Sequence, residues 1–479
     1  MLFNSFEFLV FFPIVTILYF LMPHRFRWFL LLVASCVFYM FFLWYYIAIL
    51  FVTIIIDYFA GIYIEDSSGR RKKWWLYGSI VSTCLVLFVF KYYNFFIGNF
   101  NDVAQLIGWN YSLDLLGIIL PIGLSFHTFQ SLSYVVEVYR GNQKAERHFG
   151  IYSLYVMFYP QLVAGPIERP QNVLHQFYEE HRLNYADVSA GIKLMIWGLF
   201  KKVVIADNIA GLVDAVYDHP EATSWQWLII GSYLFAVQIY CDFSGYSDMA
   251  IGAARVMGFR LMENFNTPYV SNSIKEFWSR WHISLSTWFR DYLYIPLGGN
   301  RVKGLRKHLN LFTVFAVSGF WHGANWTYIV WGLLHGFYNV VENLLKKITW
   351  FKSWVETKAP IKRRIGALIV FQLVVLGWIF FRATSVGDAW TVIKGIFTGQ
   401  LSSWTPPAEI MTFGYLFLAF KLCLVVFFIL SDVTIHRFAR GAFDHRTKHW
   451  FRLCFFAYLT ALILLIGHWG EVEFIYFQF

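Results

Sequence analysis

Charged side chains are scarce in this sequence: they make up 14% of its 479 residues, whereas 58% of the residues are hydrophobic. Soluble domains carry about 25% charge. The sequence also lacks Pro-rich or Ser-rich linkers and low-complexity tracts between its apolar runs. These absences exclude an ordinary soluble enzyme built of several domains. They predict an all-α, polytopic membrane protein in which residues 1–479 form a single transmembrane domain.

Cysteine is also rare. The five cysteines are Cys36, Cys84, Cys241, Cys423 and Cys454, and most of them lie within apolar runs. Their spacing matches neither a metal site nor a disulfide framework, so we expect buried thiols and no bound metal. The net charge is +10, but Lys and Arg cluster in short loops between apolar runs. The positive-inside rule explains this excess, which therefore indicates orientation in a membrane and not binding of nucleic acid.

Twelve apolar runs follow one another along the chain. They cover residues 6–22, 28–43, 45–64, 74–97, 115–138, 149–164, 191–206, 225–240, 309–341, 366–381, 412–430 and 453–466. With the split run 309–341 counted as a re-entrant pair, they predict about eleven transmembrane helices plus re-entrant and interfacial helices. Basic loops alternate with acidic or uncharged ones, which predicts that both termini lie outside the cytoplasm. Broken, polar segments predict a cavity-bearing catalytic core at about residues 115–345, with peripheral spans at both ends.

The run 309–341 is interrupted by small and polar residues, Ser318-Gly319-Phe320-Trp321-His322-Gly323-Ala324-Asn325-Trp326. Both outer flanks of the run are basic, so both ends belong on the cytoplasmic side and the segment enters the membrane and returns. His322 then lies near the turning point, at depth, where an ionisable residue is costly and is by default a functional candidate. The alternative is a buried histidine with a satisfied hydrogen bond.

The chemistry open to His322 is that of a general base. A buried, neutral imidazole accepts a proton from a hydroxyl group, which makes that oxygen a better nucleophile toward an acyl thioester. Asn325 and His335 lie nearby in the sequence and are possible orienting groups. No Gly-x-Ser-x-Gly motif is present to suggest a serine nucleophile.

A second informative stretch covers residues 275–296 and has the spacing of one amphipathic helix. Its apolar stripe is predicted to consist of Trp278, Trp281, Leu285, Trp288, Tyr292 and Ile295. Arg280 falls on another side of this helix, and His282 follows one turn after Trp278. An interfacial helix with a tryptophan belt explains this pattern as well as a helix packed over a functional core does.

Charged residues also occur within or beside two other apolar runs. Asp242 and Asp248 follow the run 225–240, and we interpret them either as caps of a helix start or as a proton or ion relay. Lys201 and Lys202 interrupt the run 191–206. Charged segments at membrane depth persist only where they are buried in protein or line a cavity.

Several of these motifs, taken in order, resemble the membrane-bound O-acyltransferase (MBOAT) superfamily. Phe320-Trp321-His322-Gly323 follows a polar stretch that carries Trp281-His282, as in that family. Residues 121–126, 163–167, 242–248, 292–299 and 474–479 are similar to its bacterial alginate O-acetylation branch. The resemblance therefore covers nearly the whole chain.

The resemblance implies many helices around a central tunnel open to both sides of the membrane. It implies an essential histidine at His322 and a second important one at His282. We expect the tunnel to be lined by Trp278, Arg280, Trp281, Trp288, Trp321 and Asn325. The implied donor is acetyl-CoA or a similar cytoplasmic thioester, with no permanently bound cofactor. The acetyl group would cross the bacterial inner membrane to alginate or another cell-surface polysaccharide, with periplasmic acetyltransferase partner proteins and both termini periplasmic.

Two other functions remain open from the sequence. One is D-alanyl transfer to teichoic acid from a carrier-protein thioester, which the same superfamily includes. The other is a proton-coupled transporter or flippase that uses His322, His282, Asp242 and Asp248 as a relay. Consumption of an acyl donor distinguishes the first function from the second.

Overall fold

The computed structural model describes residues 1–399, 414–442, 449–469 and 474–475 of the chain. Among these residues every regular element is helical and no strand occurs, which confirms the all-α prediction. Contacts divide the chain into two compact units, Met1–Ile192 with Ala250–Met262, and Lys193–Met249 with Glu263–Phe479. A single domain with a catalytic core at about residues 115–345 stays a prediction.

The helices are named here in chain order. The first nine are α1 (Phe6–Leu21), α2 (His24–Met40), α3 (Ile47–Asp66), α4 (Gly69–Leu87), α5 (Tyr93–Leu106), α6 (Leu124–Arg140), α7 (Phe149–Met157), α8 (Tyr159–Leu162) and α9 (Pro170–Val173). The next seven are α10 (Tyr185–Leu199), α11 (Asp207–Tyr217), α12 (Trp225–Val256), α13 (Ile274–Trp278), α14 (Ile283–Phe289), α15 (Leu305–His322) and α16 (Trp326–Leu345). They are followed by α17 (Thr349–Val355), α18 (Pro360–Arg382), α19 (Val386–Thr398), α20 (Gly414–Ala442) and α21 (His449–Ile466). Wider π-helical turns at Phe88–Tyr92, Phe200–Ala206 and Arg290–Tyr294 follow α4, α10 and α14.

Five helical segments among the described residues are long and apolar enough to cross a membrane. They cover Trp44–Asp66, Gly69–Leu106, Trp225–Val256, Pro360–Arg382 and Gly414–Asp432, and two shorter apolar helices cover Phe6–Leu21 and Trp450–Ile466. Large apolar side chains lie on outer surfaces as well as inside: on α1, Phe6, Ile17 and Leu21 are 75%, 58% and 76% exposed. An apolar outer face of this kind suits contact with lipid.

Two of the predicted apolar runs are not continuous helices. In the run 115–138, helix α6 begins only at Leu124, because Pro121 lacks a backbone N–H and Gly123 has a left-handed conformation with φ of 78°. In the run 149–164, α7 ends at Met157, and Pro160 lies in the first turn of the short helix α8. Breaks of this kind reduce the number of long spans, and the count of about eleven transmembrane helices stays a prediction.

The helix α12 corrects one interpretation of the sequence. It is 32 residues long and continues without interruption through the motif Cys241–Asp248. An aspartate or serine of this motif therefore caps no helix start, and that interpretation is wrong. In the most apolar window of α12, 78% of the residues are buried. The polar side chains of the motif consequently need partners inside the protein.

Candidate active site

His322 is the last residue of α15, and only 3% of its surface is exposed. Its ring lies perpendicular to that of Trp331, with ring centroids 4.9 Å apart. The rings of Trp321 and Phe381 have their centroids 4.9 Å and 5.5 Å from that of His322. Aromatic side chains therefore enclose the imidazole at the point where α15 ends.

The helices α15 and α16 form a hairpin around the predicted break, because only residues 323–325 connect them. Gly319 and Gly332 let the two backbones touch. A Cβ atom on Gly319 would lie 3.0 Å from the Cα of Gly332, and one on Gly332 would lie 2.9 Å from the Cα of Gly319. The split of the run 309–341 into two segments is confirmed, while its depth in the membrane stays a prediction.

Gly332→Ala is expected to lower the thermal stability of the protein. The added methyl group forces α15 and α16 apart next to His322, and such overpacking costs about 1–3 kcal/mol. Thermal unfolding in detergent measures this effect. Gly211→Ala on α11 is the matched control, since a Cβ atom there meets nothing within 4 Å. Equal unfolding midpoints for the two variants would contradict the expectation.

Two predicted tunnel residues have defined partners. The Oδ1 atom of Asn325 accepts from the backbone N–H of Thr327 at 3.1 Å and so caps α16, and its Nδ2 donates to the carbonyl of Thr384 at 3.0 Å. Arg280 donates to the carboxylate of Glu276 at 2.7 Å. None of these bonds is to the imidazole of His322, and the roles of both residues at the site stay predictions.

The segment 275–296 is not the single helix that its spacing predicts. Helix α13 ends at Trp278, a turn covers residues 279–282, and α14 begins at Ile283. The backbone of His282 is left-handed, with φ of 42°, so the chain cannot continue as one α-helix through this residue. The six residues of the predicted stripe therefore do not share one helical face. Trp288 packs on Tyr292, with ring centroids 5.0 Å apart.

The two tryptophans Trp278 and Trp281 pack against other tryptophans of the protein. Trp281 is 1% exposed, and its ring centroid lies 5.0 Å from that of Trp378. The ring of Trp278 lies 5.8 Å from that of Trp331. Trp281 is therefore part of the core, as expected of a segment packed over it, whereas Trp278 is half-buried.

His282 is completely buried at the break. Its ring lies edge-to-face against Phe243 of α12, with ring centroids 4.6 Å apart. Its Nδ1 atom is 3.0 Å from Oδ1 of Asn264. The motif at residues 241–248 therefore helps to place His282, which the sequence alone did not indicate.

A row of tryptophans extends from one predicted histidine to the other. Trp281, the neighbour of His282 in the chain, lies 5.0 Å from Trp378, which stacks on Trp331 at 5.8 Å. Trp331 in turn contacts His322 at 4.9 Å. The structure thus places both histidines in one aromatic core. That their imidazoles face one ligand-sized space stays a prediction.

His335 is a third buried histidine of this core. Its ring centroid lies 5.1 Å from each of the rings of Trp278 and Trp331. Neither of its ring nitrogens has a hydrogen-bond partner among the described residues. It follows Trp331 by four positions on α16, and this helical spacing is the signal that places it on the same face.

An ionic cluster lies inside the compact unit that also contains His282 and His322. The ammonium group of Lys202 is 2.7 Å from the carboxylates of Asp207 and Asp242, and all three side chains are at most 4% exposed. Lys201 pairs with Asp248 at 2.6 Å. The π-helical turn Phe200–Ala206 carries both lysines, and α12 carries Asp242 and Asp248. The sequence presented these charges as separate interruptions, and only the fold shows that they pair.

An apolar cavity lies away from the predicted site residues. It is a cavity of about 310 Å³ that is lined mainly by apolar side chains of α16, α17 and α18. Glu342 and Asn272 are among its few polar lining residues. The cavity does not correspond to the predicted central tunnel.

Comparison with known proteins identifies the family. The family model of MBOAT, the membrane-bound O-acyltransferase family, matches residues 148–380. The chain is 41% identical over 411 residues to the probable alginate O-acetylase AlgI of Pseudomonas aeruginosa, a match that covers 84% of this chain and 76% of that protein. The chain belongs to the membrane-bound O-acyltransferase family. The family that the sequence motifs indicated is thus confirmed, and the protein is a membrane acyltransferase.

Two further MBOAT relatives differ in what they transfer. The chain is 39% identical to the peptidoglycan O-acetyltransferase of Helicobacter pylori, over 76% of this chain and 73% of that protein. It is 29% identical to the teichoic acid D-alanyltransferase of Bacillus subtilis, over 54% of this chain and 68% of that protein. The residues that match the MBOAT family model include both His282 and His322, as well as Lys201 and Lys202.

Proposed function

We propose that this MBOAT protein is an O-acetyltransferase that moves an acetyl group from a cytoplasmic thioester across the membrane, for O-acetylation of alginate or another cell-surface polysaccharide. The observation that carries the proposal is the 41% identity to a probable alginate O-acetylase over 84% of the chain. The similarity to a peptidoglycan O-acetyltransferase supports the acetyl group as the unit transferred. The donor is acetyl-CoA or a similar thioester, and no cofactor is permanently bound.

His322 serves as the general base of this reaction. Its imidazole takes the proton of the acceptor hydroxyl while the hydroxyl oxygen bonds to the acetyl carbonyl carbon. The carbon–sulfur bond then breaks, the ester is released, and the imidazolium returns its proton to the departing thiolate. Enclosure by Trp331, Trp321 and Phe381 supports this role, because a buried imidazole is kept in the neutral form that a base requires.

The other predicted residues shape the path of the substrates. His282 orients the donor or the acceptor, while Trp278, Arg280, Trp281, Trp288, Trp321 and Asn325 line a central tunnel. About eleven transmembrane helices surround that tunnel in the bacterial inner membrane, and both termini are periplasmic. Periplasmic acetyltransferase partner proteins complete the delivery to the polysaccharide. The aromatic row between His282 and His322 supports a common site.

The test is release of free CoA from acetyl-CoA by purified protein in detergent, with a polysaccharide supplied as the source of acceptor hydroxyls, and the CoA is quantified by chromatography. We expect turnover when acetyl-CoA is the donor and no turnover when a D-alanyl carrier-protein thioester is the donor. Turnover only with the carrier-protein thioester would replace acetyl transfer by D-alanyl transfer. The 29% identity over 54% of the chain makes that relative the less similar one.

A transporter or flippase predicts substrate movement without consumption of an acyl donor. Its proposed relay would use Asp242 and Asp248, but both carboxylates pair with buried lysines. These ion pairs favour a structural role for the two aspartates. Flux across proteoliposomes with no release of CoA would support the transporter over the acyltransferase.

A further inference from the structure

The backbone at His282 is strained. Among the described residues, only His282 and Thr267 are non-glycine residues with positive φ. A residue held in this region costs of order 1–3 kcal/mol and persists only where its surroundings enforce it. The enforcing group at His282 is Asn264, which precedes it by eighteen positions and contacts it directly.

Asn264 binds the first turn of α14 through both its backbone and its side chain. Its carbonyl oxygen accepts from the backbone N–H of Ile283 at 2.9 Å. Its Oδ1 atom accepts from the backbone N–H of Ser284 at 3.3 Å and from the Ser284 hydroxyl at 2.9 Å. Its Nδ2 atom donates to the hydroxyl of Ser247 on α12 at 3.1 Å. The amide is therefore held at both ends.

These bonds determine which ring nitrogen of His282 carries the proton. A backbone N–H can only donate, so the atom of Asn264 that faces Ser284 is the amide oxygen. The amide oxygen can only accept, and it lies 3.0 Å from Nδ1 of His282. The Ser284 hydroxyl is also 3.4 Å from Nδ1, but it gives its one hydrogen to the Asn264 oxygen at 2.9 Å. Nδ1 then carries the ring hydrogen, and in a neutral imidazole the other nitrogen, Nε2, carries the lone pair.

The ring of His282 is neutral in this environment. Burial lowers its pKa to about 3, and the residue lies outside the membrane-spanning helices. Phe243 faces its ring edge-to-face and Phe265 stacks at 6.3 Å. The charged groups on the packed elements are Asp242 and Asp248 on α12, paired with Lys202 and Lys201, and Arg280 beside the break, paired with Glu276.

We propose that Asn264 is a positioning residue that fixes His282 as the Nδ1–H tautomer, so that Nε2 accepts a hydrogen bond from a second hydroxyl group of the acyl acceptor, not from the hydroxyl that His322 deprotonates. An Nε2 atom with a lone pair cannot donate to a thioester carbonyl, so His282 serves the acceptor side of the reaction. Ser247 and Ser284 hold the Asn264 amide in the required orientation. The role of His282 in binding the acyl acceptor rests on the proposed acetyl transfer. The tautomer of His282 does not depend on that proposal.

The tautomer is tested without any assay of activity. Protein labelled with 15N-histidine is studied by solid-state NMR in lipid, and the His282 signals are identified by their loss in His282→Gln. We expect a protonated Nδ1 and an unprotonated Nε2 in the wild type, and a shift toward the Nε2–H tautomer in Asn264→Leu. An Nε2–H tautomer in the wild type would overturn the proposal even if acetyl transfer is established.

The positioning role is tested by the pH dependence of CoA release. Asn264→Asp keeps an acceptor at Nδ1 but adds a negative charge that stabilises the imidazolium. We expect turnover within tenfold of wild type at high pH, with the acidic limb moved upward by at least one pH unit. Asn264→Leu should lose at least tenfold in turnover, while Ser286→Ala on the same helix should stay within twofold. If Asn264→Asp lowers the thermal stability but leaves the acidic limb of the pH profile unchanged, Asn264 has only a structural role.

Discussion

Replacing Lys202 by methionine is expected to destabilise the protein by about 3–5 kcal/mol, because removal of one partner leaves buried charges uncompensated. The ammonium group of Lys202 lies 2.7 Å from both Asp207 and Asp242, and the three side chains are at most 4% exposed. Without it, the two carboxylates face each other in the interior. Asp242 also accepts a hydrogen bond from the backbone N–H of Ile475 at 2.7 Å. The loss of stability should therefore extend to the contact between α12 and the last described residues.

The measurement is thermal unfolding in detergent, followed by intrinsic fluorescence. Lys394→Met is the matched control, since Lys394 is an exposed residue of α19 whose replacement removes no buried partner. The triple variant Lys202→Met, Asp207→Asn, Asp242→Asn should recover most of the lost stability, because neutral amides carry no net charge to be desolvated. An unfolding midpoint for Lys202→Met equal to that of Lys394→Met would contradict the account of the cluster.

The helical architecture and the hairpin at His322 could be predicted from the sequence because both depend on local features. Apolar runs indicate helices, and the small residues at 323–325 indicate the turn between α15 and α16. The close packing of this hairpin rests on Gly319 and Gly332, whose importance is visible only when the two helices are placed side by side.

The segment around His282 shows the limit of periodicity as a guide. Spacing alone predicts one helix over residues 275–296, but the chain breaks after Trp278, and hydrogen bonds from Ile283 and Ser284 to Asn264 hold the first turn of α14. Those partners are far apart in the sequence, and no local pattern announces them. The pairing of Lys201 and Lys202 with Asp248 and Asp242 of α12 could not be predicted for the same reason, since the partners are about forty to fifty positions apart in the sequence.

Replacement of His322 by alanine is expected to lower the turnover of acetyl-CoA by about 10²–10⁴-fold, the usual contribution of a general base. The variant should remain folded, because Trp331 keeps its ring contacts with Trp378 and Phe381 when the imidazole is removed. His308→Ala is the matched control, since His308 lies on the same helix, fourteen positions before the site. We expect its turnover within twofold of wild type.

The most direct test of acyl transfer at His322 is therefore CoA release by wild type, His322→Ala and His308→Ala, measured on purified proteins with equal unfolding midpoints. We predict turnover in wild type and His308→Ala and its loss in His322→Ala. Equal turnover in all three proteins would remove His322 from the mechanism and contradict the account.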